Sequence, residues 1–204
     1  MAHLIFRNGR TNPIKMIRPM VGFVVASIWR MIRLGMFMIA MLLGSMTVSL
    51  ADSWMGLVPD AEIVGQARFK VFLFKIYDAT LFAANGRFDP DGAYALRLNY
   101  LVDASKAQIV KRSLVEMGRQ TKADEAQLEI WKVFLDASFR DLKDGESATA
   151  VHNRDGSITF YLNDVEGETI NDADFADAFM NIWLSDKAKD LDFSRALRGL
   201  DDTL

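Results

Sequence analysis

From Tyr94 to Val102 the chain reads YALRLNYLV: Tyr94, Leu96, Leu98, Tyr100 and Val102 share one parity, with Arg97 and Asn99 on the other. Successive side chains of an extended chain point to opposite faces, so this alternation commits the segment to a strand with one buried face. A strand needs neighbours to pair its backbone groups, and the flanking sequence supplies them. Glu62 to Phe82 (EIVGQARFKVFLFKIYDATLF) is rich in β-branched and aromatic residues with a break near Lys75, and reads as two strands or one long bent strand. Asn85-Gly86 and Asp89-Pro90-Asp91-Gly92 are turn chemistry, because Gly and Asn tolerate positive φ and Pro presets its own. Later, Asp155-Gly156 links Ala150–Asn153 to Ser157–Leu162, and Asn163-Asp164 links that strand to Val165–Ile170, two hairpins in succession.

Helical periodicity occupies the remaining stretches. Asp103 can cap a helix whose Ala107, Val110, Leu114 and Met117 form one stripe. Thr121 and Asp124 have capping-box spacing ahead of a second, with Leu128, Trp131, Leu135 and Leu142 aligned. Asp172 can cap a third, turning Phe175, Phe179, Ile182 and Trp183 inward, and Phe193 to Leu200 reads as a short last helix. Strands, a helix pair, strands and helices again give an α+β class with an antiparallel sheet, and a chain of this length suits one core.

The net charge of −3 hides two different segments. Met1 to Ala51 holds Arg7, Arg10, Lys15, Arg18, Arg30 and Arg33 and no carboxylate, while residues 52–204 carry 18 basic against 27 acidic residues. Gly35 to Leu50 is an uncharged, mostly apolar run preceded by Arg30 and Arg33 and followed by Ser49-Leu50-Ala51, the order of a secretory signal with its cleavage site. The expectation is residues 1–51 as a signal and 52–204 as one exported, periplasmic domain. Translation starting at Met31 or Met36 would make the residues before it an extension. The competing reading keeps Met20 to Leu50 as an uncleaved anchor in the inner membrane, though the apolar run is short for a span of roughly 20 residues.

Several function classes are disfavoured. The acidic domain has no Lys/Arg cluster with interleaved aromatics, which argues against nucleic acid. There is no cysteine, hence no disulfide framework and no thiolate metal site. His152, the one histidine after Ala51, has no nucleophile-elbow motif to serve and reads as an ordinary strand residue. Gly65, Gly86 and Gly92 lack phosphate-loop spacing. Asp89 to Gly92 lacks the further ligands of a calcium loop, and Asn171 to Asp174 is a helix start. No metal and no cofactor is expected. Phe69, Phe72, Phe74, Tyr77 and Phe82 on the first strands admit two readings, a filled core or part of the lining of an apolar cleft.

Three stretches, in order, resemble the bacterial chalcone isomerase-like family: GQARFKVFLFKIYDATLF (Gly65 to Phe82), ALRLNYLVD (Ala95 to Asp103) running into a helix, and DADFADAFMNIWLSDKAKDLDFSRALRGL (Asp172 to Leu200) with its closing Leu-x-Gly-Leu. The resemblance implies the fold of plant chalcone isomerase and its fatty-acid-binding relatives, an antiparallel sheet with helices on one face and a cleft between. The isomerase donors do not carry over. Matching Ile76-Tyr77 to the family's Val-Tyr pair puts Phe72 at the Thr position, leaves no Arg near Asp60, and puts Ser105 or Lys106 where a Tyr belongs. Without these donors the developing negative charge is not stabilised, and fold does not carry function with it. The reading is therefore a non-catalytic protein binding an amphipathic small molecule such as a fatty acid. Tyr77 and Tyr100 are the head-group donors, and Arg68 or Arg97 the charge partner, although Arg97 alternates onto the face opposite Tyr100. The alternatives are an isomerase on an unknown substrate with other residues, or a structural envelope protein.

Overall fold

A computed structural model describes residues 53–200; the expected signal or anchor lies outside these residues. Their six strands are β1 (Ala61–Val71), β2 (Phe74–Ala84), β3 (Tyr94–Tyr100), β4 (Ser147–His152), β5 (Ile158–Leu162) and β6 (Val165–Ile170). They pair antiparallel in one sheet in chain order. Four helices follow the same division as the sequence: α1 (Lys106–Thr121), α2 (Glu125–Ser138), α3 (Ala173–Leu184) and α4 (Leu191–Leu197). The class is the expected α+β, with the apolar stripes of the helices packed on one sheet face. Among the described residues no helix is long and apolar enough to cross a membrane.

The alternation that opens the sequence is realised in β3: Tyr94, Leu96, Leu98 and Tyr100 are buried toward the helices. Across β2 and β4 the same face carries Ala79, Leu81 and Ala83, then Ala148 and Ala150, by direct register. The opposite face is partly covered by a 3-10 turn over Ser53–Leu57, whose Trp54 packs with Val58, Ala95, Val151 and Tyr161 and sits 5.0 Å from the Phe82 ring. Burying side chains of this size contributes roughly 1.5–3 kcal/mol each.

Several boundaries differ from the sequence reading. The break between β1 and β2 falls at Phe72-Leu73, before Lys75. Ser105, not Asp103, caps α1, because Ser105 and Gln108 form a reciprocal capping box while Asp103 holds Lys143 and the Asp144 amide. Thr121 ends α1 and Asp124 alone caps α2. The last helix starts earlier, capped by Asp190, and Leu142 lies beyond α2 in an isolated bridge to Ala104. Asn163 and Asp164 both have positive φ, 51° and 62°, as the two-residue hairpin between β5 and β6 requires.

The ends of the domain are joined by two glycine contacts. After α4, Gly199 takes φ 66°, its amide donates to the Ala196 carbonyl and the Leu200 amide to the Arg195 carbonyl, a Schellman closure. That closure lies against β1. At Gly65, within the β1 bulge, an added Cβ would stand 2.6 Å from the Leu197 carbonyl oxygen. The Leu-x-Gly-Leu end and the glycine of the first strand therefore pack backbone to backbone.

Candidate functional site

A cavity of about 770 Å³ lies between the sheet and the helices, within the size range of small-molecule sites. It exists because the floor mixes large and small residues. Leu96, Leu98 and Tyr100 from β3 stand beside Ala148 and Ala150 from β4, whose short side chains leave space under the helices. Phe69 and Tyr77 close one side, and α1, α3 and α4 supply the roof through residues such as Ile109, Trp183 and Phe193.

The polar groups converge at one side of this apolar space. Tyr77 stacks on Phe69 with ring centroids 5.0 Å apart and lies 5.9 Å from the Tyr100 ring. The Tyr77 hydroxyl accepts a hydrogen bond of 3.0 Å from Trp183 Nε1. Its own proton has no acceptor among the described residues. Burial pushes the Tyr77 phenol up to about 12, against the opposing pulls of the Trp183 hydrogen bond and the nearby Arg112 charge. Burial also raises Tyr100, with Tyr77 adding to the effect. Both phenols therefore stay protonated at neutral pH and offer O–H donors to the cavity.

Three cations and three carboxylates line the mouth. The carboxylates are committed: Asp103 to Lys143, Glu116 to Arg119 and Lys189, and Asp190 to the Phe193 amide as a helix cap. Lys111 and Arg112 make no hydrogen bond or ion pair among the described residues. Two uncommitted cations on the lining of a cavity that also holds two phenolic donors can receive an anion. Among the described residues no group of three or more His, Cys, Asp or Glu is placed to hold a metal.

The sequence matches a family model described as chalcone isomerase-like over residues 63–199. The chain belongs to the chalcone isomerase-like family. No curated protein matches it. Among solved structures, the crystal structure of a fatty-acid binding protein from Arabidopsis thaliana is similar with a TM-score of 0.54 and 7% identity, covering 69% of this chain and 87% of that one. At that identity the likeness is one of fold.

Within this chalcone isomerase-like fold, the four residues singled out from the sequence separate into two pairs. Tyr77 and Tyr100 meet in the cavity, opposite each other in the β2–β3 register. Arg68 and Arg97 lie on the other sheet face, where strand alternation sends them. Arg68 forms a bidentate pair with Asp78, and Arg97 donates to Asp164 at 2.9 and 3.0 Å and also to Asn99 and Ser147. Both are thus on the face opposite Tyr100. The cation on the cavity side is Arg112 of α1, which lines the same cavity and whose charge acts on Tyr77. The sequence signal for it was weak: it follows Ile109 by three positions, at the flank of the α1 stripe rather than in it. Of the positions aligned with isomerase donors, Phe72 is an exposed turn residue, Asp60 lies in the turn before β1, and Ser105 is spent on capping α1.

Proposed function

We infer that the domain binds a long-chain amphiphile with an anionic head, a fatty acid being the simplest such molecule. The tail lies over Leu96, Leu98 and the two alanines of β4; the carboxylate takes the Tyr77 and Tyr100 protons and the Arg112 charge. The observation that carries this reading is the convergence of two protonated tyrosines, Tyr100 buried and Tyr77 half-buried, and an uncommitted arginine on one apolar cavity. Shared fold with a protein named for fatty-acid binding adds support. The same reading places the domain outside the cytoplasm, on the order of Arg30, Arg33, the uncharged run and Ser49-Leu50-Ala51 in the sequence.

Native mass spectrometry of protein purified without delipidation tests both parts. The expected spectrum starts the chain at Asp52 and adds one noncovalent mass of a long-chain acid, lost on delipidation. A bare chain under every gentle condition would remove the support for a resident ligand. An intact Met1 recovered from the membrane fraction would replace export with anchoring.

A further inference from the structure

The turn between β1 and β2 breaks the ordinary rules for a hairpin tip. It reads Lys70-Val71-Phe72-Leu73-Phe74-Lys75, with none of the Gly, Asn or Asp that such turns favour. Phe72 has φ 54°, a conformation that a bulky side chain adopts at a cost. Phe72, Leu73 and Phe74 are 93%, 94% and 71% exposed. Lys70 and Lys75 are directly opposite in the strand register, a like-charge pair that disfavours the hairpin, and neither forms an ion pair among the described residues. Asp78, which feels the field of Lys75, is already held by Arg68. An apolar point ringed by two unneutralised cations lacks both an apolar medium and an anion.

We propose that this tip docks on a lipid surface bearing anionic head groups. Phe72, Leu73 and Phe74 enter below the head groups, while Lys70 and Lys75 stay at the level of the phosphates, their stems lying along the apolar boundary. A protein partner is the poorer fit: the tip is convex and offers three side chains, against the 20 or so residues a side of a stable interface. Position supports the lipid reading. Val71, Phe74 and Ile76 also line the cavity, and Val115, 59% exposed on α1, lines it as well. The docking point and the cavity mouth are thus continuous, and a tail leaving the bilayer reaches the cavity without crossing water. Docking goes beyond the binding reading and stands without it, since it concerns the tip and not the cavity contents.

The chain has no cysteine, so a single one can be labelled cleanly. Leu73→Cys in the full chain would carry an environment-sensitive fluorophore; Arg154→Cys, in the exposed turn between β4 and β5 at the opposite end of the sheet, would carry the same label as control. Vesicles of phosphatidylcholine with phosphatidylglycerol should shift the label at 73 to the blue and leave that at 154 unchanged. Phosphatidylcholine alone should do much less. Adding Lys70→Gln and Lys75→Gln should weaken vesicle affinity roughly 30-fold, from about 1 kcal/mol per lysine near an anionic surface. An unchanged label at 73 with both vesicle types would overturn the proposal. So would an equal response at 154, which would mean adsorption through another part of the chain. A blue shift at 73 without vesicles, growing with protein concentration, would assign the tip to self-association instead. None of these outcomes depends on ligand binding in the cavity.

Discussion

Gly65→Ala is expected to lower the stability of the domain by about 3 kcal/mol, seen as a melting midpoint some 6–12 °C lower, the scale for a domain of this size. The added methyl has nowhere to go. Its position is 2.6 Å from the Leu197 carbonyl oxygen and also against that of Ala196, closer than packed carbon atoms approach. Both obstacles are backbone, so no side-chain rotation relieves them. A Gly-to-Ala change also restricts the unfolded chain, which stabilises by roughly 0.4–1 kcal/mol, but a backbone collision outweighs that. Either β1 or the end of α4 must move, and with it the Schellman turn at Gly199, which itself leans on the Val64 carbonyl. Gly56→Ala is the matched control, since nothing stands within 4 Å of its Cβ position. Equal melting shifts for the two variants would show that the glycine contact between β1 and the end of α4 is not what holds α4 to the sheet.

Arg112→Glu should weaken fatty-acid binding roughly 10- to 50-fold. A partly exposed ion pair contributes about 1 kcal/mol, reversing the charge costs about as much again, and 1.4 kcal/mol is tenfold. Because Arg112 is solvent-exposed at the mouth, the loss should shrink as salt is raised. It should be the same for every chain length, since the substitution touches the head and not the tail. Arg68→Glu and Arg97→Glu, on the far face, should leave affinity for the acid unchanged, provided the Arg97 variant is measured after its folding is verified, because it breaks the bonds to Asp164. Titration calorimetry of the four proteins at two salt concentrations reads all of this. A larger loss at Arg68 or Arg97 than at Arg112 would relocate the head group to the other face of the sheet.

The parts of the molecule that follow from local pattern were legible, and those that depend on how helices sit over the sheet were not. Alternation in Tyr94 to Val102 gave the strand and its buried face; the register that sets Tyr100 opposite Tyr77 comes from the sheet pairing. The same alternation already separated Arg97 from Tyr100, and the structure applies it to Arg68 as well. The break near Lys75 was visible but its place at Phe72-Leu73 was not, because these residues are the opposite of turn formers; tertiary pairing of β1 with β2 overrides local preference there. Capping assignments moved by two or three residues where two capable side chains compete, as with Asp103 and Ser105. The cavity rests on Ala148 and Ala150. The sequence reading began β4 at Ala150, so the small-residue pair was split and its consequence missed. Arg112 sits beside the apolar stripe of α1, a place where periodicity alone assigns solvent.

Whether the cavity holds an apolar tail is read by a chain-length series. Delipidated protein titrated calorimetrically with saturated fatty acids should show affinity rising with each methylene that enters the cavity. The upper bound is about 0.8 kcal/mol per methylene, close to fourfold, with ordering costs reducing it. The rise should stop once the tail outgrows the space over Leu96, Leu98, Ala148 and Ala150. Ala148→Phe should bring that plateau to shorter chains without changing the salt dependence set by Arg112. An absence of heat at every length, or an affinity that ignores length, would contradict a tail-binding cavity and leave the space between sheet and helices without an amphiphile to hold.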